Sequence, residues 1–270
     1  MGFYIHGCVD GFSRCMIYLY CSNNKRQSTV AKVFMSAVRT FGWPSRCRGD
    51  WGTENNEVER LMVSHWGEHH RAYLRGRSAH NVRIERAWRD VRKDSLEVFR
   101  KIFQYLVDIG LLDPENSIQS LCLYVVYRNQ IQASLDRTLS AWNNHQLRTE
   151  HHKTPIAIYE LSREKAINQG YWTGDPGNDV RTASHPFYGQ EDGDLPPLDE
   201  LANDPTQPNY TPYNSKDEEK ADGIFVNDDD EIQDVKDFLV AEGFDYDRED
   251  GNWGIDVYCE AVMKIQQLLV

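Results

Sequence analysis

The spacing of apolar positions changes several times along the chain. Phe3 to Val9 is an apolar, β-rich run, Gly11-Phe12-Ser13 reads as a turn, and Cys15 to Cys21 is a second such run. Together they predict a hairpin. From Gln27 to Phe41 the period lengthens, so that Val30, Val33, Phe34, Ala37, Val38 and Phe41 share one helical face. Gly42-Trp43-Pro44 stops that helix. Ser45 to Asp50 predicts a short strand running into a glycine loop, Glu54 to Trp66 a helix, and Arg71 to Leu74 another short strand. A long helix follows, with Ile84, Ala87, Trp88, Val91, Ser95, Val98, Phe99 and Ile102 at i, i+3, i+4 spacing, and Asp108-Ile109-Gly110 ends it. Ile118 to Trp142 predicts a second long helix, and Thr154-Pro155 opens a last one reaching about Leu161. Strands first and helices after them is the order of an α/β domain, a mixed sheet flanked by helices.

Charge divides this picture in two. The net charge is −12. Residues 1–174 hold 24 Lys and Arg against 17 Asp and Glu, whereas residues 175–270 hold 6 against 25. A basic front suits a polyanionic partner and an acidic back does not. The expected organisation is a domain over 1–174, an acidic and mostly disordered linker over 175–222, rich in Pro, Gly, Asp and Asn, and a small acidic helical segment over 223–270. Ile232, Val235, Phe238 and Leu239, then Tyr258, Ala261, Val262, Ile265, Leu268 and Leu269, mark two helices in that segment. No apolar run is long enough to span a bilayer, and the N-terminus lacks a signal-peptide pattern. An intracellular protein is expected. The six cysteines form no CxxC pair and sit in apolar stretches, which suits reduced buried thiols.

Three local patterns carry candidate chemistry: Asp10-Gly11-Phe12-Ser13-Arg14 in the hairpin turn, Arg48-Gly49-Asp50-Trp51-Gly52-Thr53-Glu54-Asn55 at a strand end, and Asn81-Val82-Arg83-Ile84-Glu85-Arg86 at a helix start. A carboxylate at a strand end stays accessible, and open α/β sheets place ligands there. Glu85 lies near a helix N-terminus, with Arg89 and Arg92 at i+4 and i+7 on its face. Carboxylates can hold Mg²⁺ while arginines hold phosphates, the arrangement phosphoryl transfer needs. The plainer readings are a turn aspartate at Asp50, a carboxylate complementing a helix dipole at Glu85, and a solvated face for Arg83, Arg86, Arg89, Arg92 and Lys93.

These patterns resemble the integrase core of retroviruses, retrotransposons and DDE transposases. The second catalytic carboxylate of that family sits in a D-x-G-x-E/x-N/F loop, which Asp50-Trp51-Gly52-Thr53-Glu54-Asn55 matches. The third is a Glu heading a long helix, in a setting that Asn81, Glu85 and Arg86 approximate. Asp50 and Glu85 are separated by 34 residues, close to the family's characteristic gap. Trp142-Asn143-Asn144-His145-Gln146-Leu147-Arg148-Thr149 with Thr154-Pro155 resembles its closing signature. The likeness covers roughly residues 1–160. It implies a ribonuclease-H-like fold, Mg²⁺- or Mn²⁺-dependent DNA strand transfer of the two-ion type, metal held by Asp50 and Glu85, and DNA contacted by Arg83, Arg86, Arg89, Arg92 and Lys93. It also implies DNA as partner, with homo-oligomerisation open, no membrane, and a nuclear setting.

The family's first catalytic Asp belongs to a W-x-x-D motif on an opening strand, ahead of the turn that Asp10 occupies. The expectation is therefore a core lacking its first strand and one of three metal ligands, with transfer impaired unless Asp10 substitutes. The alternative is a catalytically inactive nucleic-acid-binding or scaffold remnant of a mobile element. Phe3 to Val9 would then be an exposed edge strand, prone to aggregation. His65, His69 and His70 read as a surface cluster, not a zinc site, and Trp88 and Trp142 as core residues. Asp245 to Gly251 only faintly matches a calcium loop, because Gly251 falls one position late. The acidic back is expected to shield the basic front.

Overall fold

The computed structural model describes residues 1–70, 72–76, 82–168 and 213–268. Strand β1 (Tyr4–Val9) pairs antiparallel with β2 (Met16–Ser22). The turn between them is held by Asp10, whose Oδ2 accepts from the Phe12 and Ser13 amides and from Ser13 Oγ. Helix α1 (Gln27–Phe41) buries Val30, Ala31, Phe34 and Val38. Strand β3 (Cys47–Gly49), a turn at Thr53–Asn55, helix α2 (Asn56–Trp66) and strand β4 (Tyr73–Arg75) make a small β-α-β unit, with β3 and β4 parallel. A buried ion pair between Arg75 and Glu59 ties β4 to α2.

The expected single mixed sheet is not what the described residues form. They form two separate two-stranded sheets, β1-β2 and β3-β4. Among the described residues no backbone hydrogen bond leaves the second edge of β1. The second edge of β2 is satisfied differently, by side chains of helix α5 (Ser117–Asn144). Asn143 accepts from the Met16 amide and donates to its carbonyl. Gln132 accepts from the Cys21 amide and donates to the Leu19 carbonyl. Trp142 Nε1 donates to the Arg14 carbonyl. Side-chain amides thus take the place of a neighbouring strand.

The long helix that precedes α5 is not uniform. It runs as α3 (Val82–Val91), a π-turn at Arg92–Leu96, and α4 (Glu97–Asp108). Trp88 of α3 packs over Gly7 of β1, so close that a Cβ at residue 7 would sit 2.7 Å from the indole. Thr154 accepts from the Ala157 amide and Pro155 takes the first position of α6 (Pro155–Asn168), which explains the Thr-Pro pair as a helix start.

Of the 175–222 linker, residues 175–212 lie outside the described residues. Its last part is corrected: Lys216–Ala221 is a helix, α7, capped by Ser215. Helices α8 (Asp229–Ala241) and α9 (Ile255–Leu268) follow. Ile232, Val235, Leu239, Val257, Tyr258, Ala261 and Ile265 join one core with Cys122, Leu123, Val126, Phe103 and Leu19. Residues Cys122 to Tyr127 are all buried. A helix apolar on every side needs cover on every side, and α8 and α9 join β2 in supplying it. A second, smaller core gathers α1, α2 and Tyr73.

Candidate functional site

Asp50 follows β3 directly. Its Oδ1 accepts from the Gly52 amide and from Asn55 Nδ2, both at 3.1 Å. That is an Asx-type turn, so the plain reading of Asp50 describes its local role correctly. Among the described residues its Oδ2 accepts no hydrogen bond. Gly49 lies against Tyr73: a Cβ there would come within 2.0 Å of the phenol oxygen. Only glycine lets β3 and β4 close at this point, and Asp50 is placed by that closure. Glu54 folds back over Gly52, where a Cβ would meet its carboxylate at 2.5 Å.

Glu85 projects from the exposed face of α3. Arg86, Arg89, Arg92 and Lys93 are also exposed, whereas Ala87 and Val91 are buried. At 100° per residue Glu85, Arg86 and Arg89 fall within one sector of α3, and Arg92 and Lys93 follow in the π-turn. Arg89 lies 3.8 Å from Asp90 with its side chain 79% exposed, too open a pair to hold it. Arg83 differs. It is half-buried and donates to the Phe12 carbonyl at 3.3 Å, so it docks α3 onto the hairpin turn. Of the five basic residues expected to meet DNA, Arg86, Arg89, Arg92 and Lys93 are exposed and Arg83 docks on the hairpin turn.

Among the described residues no three His, Cys, Asp or Glu side chains converge closely enough to hold a metal. Asp10, Asp50 and Glu85 therefore form no such set, and Asp10 Oδ2 accepts within its own turn from the Phe12 and Ser13 amides and Ser13 Oγ. The donor chemistry of Asp50 and Glu85 suits a hard cation such as Mg²⁺, but two carboxylates do not make the three-carboxylate set that a two-ion site requires. Two of the clustered histidines stack on tryptophans. His65 stacks on Trp43 at 4.1 Å and His70 on Trp66 at 5.1 Å. Asp250 is held by its helix: both oxygens accept amides of Asn252, Gly254, Asp256 and Val257 at the start of α9. Burial raises its carboxyl, but these amides outweigh that and keep it below the usual aspartate range. Trp88 and Trp142 pack against the core, as expected. All six cysteines are free, and burial pushes the thiols of Cys15, Cys21 and Cys122 up to about 12.

The family model described as integrase core domain matches residues 1–170, and the chain belongs to that family. Among solved structures it is similar to the HTLV-2 integrase catalytic core domain, a structure in complex with magnesium and in trimeric form. The two are 16% identical, with a TM-score of 0.38, over 58% of this chain and 84% of that one. The family match, not this likeness, places the chain. A comparison with curated proteins gives no match.

Proposed function

We propose that this chain is a DNA-handling core of the integrase and transposase type, with a ribonuclease-H-like ancestry. Its inherited reaction is metal-dependent DNA strand transfer. Asp50 and Glu85 are the inherited metal ligands, and Arg86, Arg89, Arg92 and Lys93 contact phosphates. Arg83 supports them by fixing α3 on the hairpin. The observation that carries this reading is membership of the family across residues 1–170, together with Asp50 at a strand end and Glu85 on a basic face. A divalent ion bound at these carboxylates would neutralise charge developing on the phosphate.

A second reading is favoured by one specific observation, that no three carboxylates converge among the described residues. On that reading the core binds DNA and no longer transfers strands. Calorimetric titration of Mg²⁺ and Mn²⁺, with Asp50→Asn and Glu85→Gln as controls, separates the two. Binding abolished by both substitutions, with strand transfer on a labelled duplex, supports the first reading. Metal binding unaffected by either substitution removes the proposed site and leaves the binding module.

A further inference from the structure

Between α1, the Thr53–Asn55 turn and the C-terminal segment lies a cleft of about 680 Å³. Its floor is one face of α1. Lys25, just before the helix, and Lys32 and Arg39 within it all line the cleft. They recur every seven residues, so successive cations stand about 10 Å apart along the helix. None of the three makes an ion pair among the described residues. The acidic groups nearby are mostly neutralised already. Glu57 is held by Arg60, and Glu219 by Arg26. Glu54 remains, at the end of the cleft nearest Asp50. Tyr213, 38% exposed, and Met35 add apolar surface to the same walls.

A row of lysines on a convex helix face is ordinarily a solvated surface. Here the opposite wall, supplied by Tyr213, Glu219 and Ile224, makes the row concave, and because Glu219 is paired with Arg26 the cations facing it set the local potential. We infer that this cleft is a channel for single-stranded nucleic acid, which leads a strand along α1 toward the Asp50 turn. Its volume suits about two nucleotides at a time. The three cations match a phosphate backbone, and Tyr213 offers a ring on which a base can stack. A duplex needs a broader basic face, which α3 presents instead. The inference rests on the reading of the chain as a DNA-handling core, and it is separable from it.

The test is fluorescence anisotropy with the full chain, a labelled oligothymidine and a duplex of equal length. Lys32→Gln with Arg39→Gln should weaken single-strand binding at least tenfold. The same change should lower the slope of log affinity against log salt by about 1.4. Tyr213→Ala should cost about fivefold and leave that slope unchanged. Lys101→Gln with Arg137→Gln removes equal charge from exposed sites outside the cleft and should do neither. If the cleft variants behave like this control, the channel is ruled out. If the chain binds duplex but no single strand, the channel fails while the DNA-handling reading stands. Binding of neither form overturns both.

Discussion

At the scale of single residues, position 49 shows how a backbone detail governs the site. The glycine before Asp50 is required by the Tyr73 phenol that occupies the space of its missing side chain. Gly49→Ala should cost about 1–3 kcal/mol by overpacking. In urea denaturation, Gly49→Ala with Tyr73→Phe should recover part of that loss, and no recovery would exclude the phenol as the cause. His6 gives a pH-dependent counterpart. Burial lowers its pKa below 6.5, although the Asn24 carbonyl and Glu54 pull the other way. The folded state therefore binds the proton less readily than the unfolded chain. Stability from this group is complete above 6.5 and declines as pH falls through that value. Denaturation midpoints at pH 7.5 and 5.5 should differ more in the native sequence than in His6→Gln. Asp50 and Glu85 were legible at this scale because turn chemistry and helix facing are local. The contact of Arg83 with the Phe12 carbonyl spans 71 residues, and no local pattern announces such a contact.

At the scale of elements, periodicity located most pieces well. The spacing in Gln27 to Phe41 gives α1 with both ends correct. The π-turn at Arg92–Leu96 was not legible, because the apolar positions continue across it with little change. The division into two sheets was not legible either. Hydrogen-bond partners are a tertiary property, and Asn143 and Gln132 of α5 could not be read as the neighbours of β2. The expectation of an exposed apolar β1 is partly corrected. Phe3 stacks on Phe103 at 5.5 Å and on Tyr124 at 5.2 Å, and Trp88 covers Gly7, although the second edge of β1 pairs with no strand among the described residues. In α5, Tyr127 is fully buried and its hydroxyl has no hydrogen-bond partner among the described residues. Tyr127→Phe removes an unsatisfied group and keeps the ring contacts with Phe99 and Phe103. The variant should be as stable as the parent or more stable, by up to about 1 kcal/mol. A clear drop in the thermal midpoint would mean that the hydroxyl has a partner after all.

At the scale of the whole molecule, charge asymmetry pointed to a boundary, while packing joins what charge separates. The acidic segment meets the basic half at Arg26. That guanidinium contacts Glu219, Asp228 and Asp229 at 2.7, 3.2 and 3.0 Å and stacks on Phe225. Lys216 also contacts Asp228 and Asp230. The acidic and basic segments thus meet in a clamp at one arginine beside the cleft. Arg26→Met would leave the largely covered Glu219 without its cation and Asp228 with Lys216 alone. A loss of about 2 kcal/mol is expected from the charged hydrogen bonds involved. Raised salt should narrow the gap between parent and variant in denaturation experiments. The apolar run in α5 was the sequence signal for this docking. A helix with no polar face predicts a second cover, and the helices marked near Ile232 and Tyr258 were the available candidates.

The sharing of α5 between the β1-β2 hairpin and α8-α9 has an operational consequence. Covalent continuity between Asn168 and Tyr213 is not what holds the two halves together, because their side chains fill one interior. A protease that cuts once in that interval should yield a nicked species whose two fragments travel as one peak in gel filtration and part only in denaturant. If they elute separately under native conditions, the common interior does not hold in solution. If they stay together, the two pieces can be made separately and mixed. The first 170 residues would then serve as a reporter that becomes soluble only when its complement is supplied.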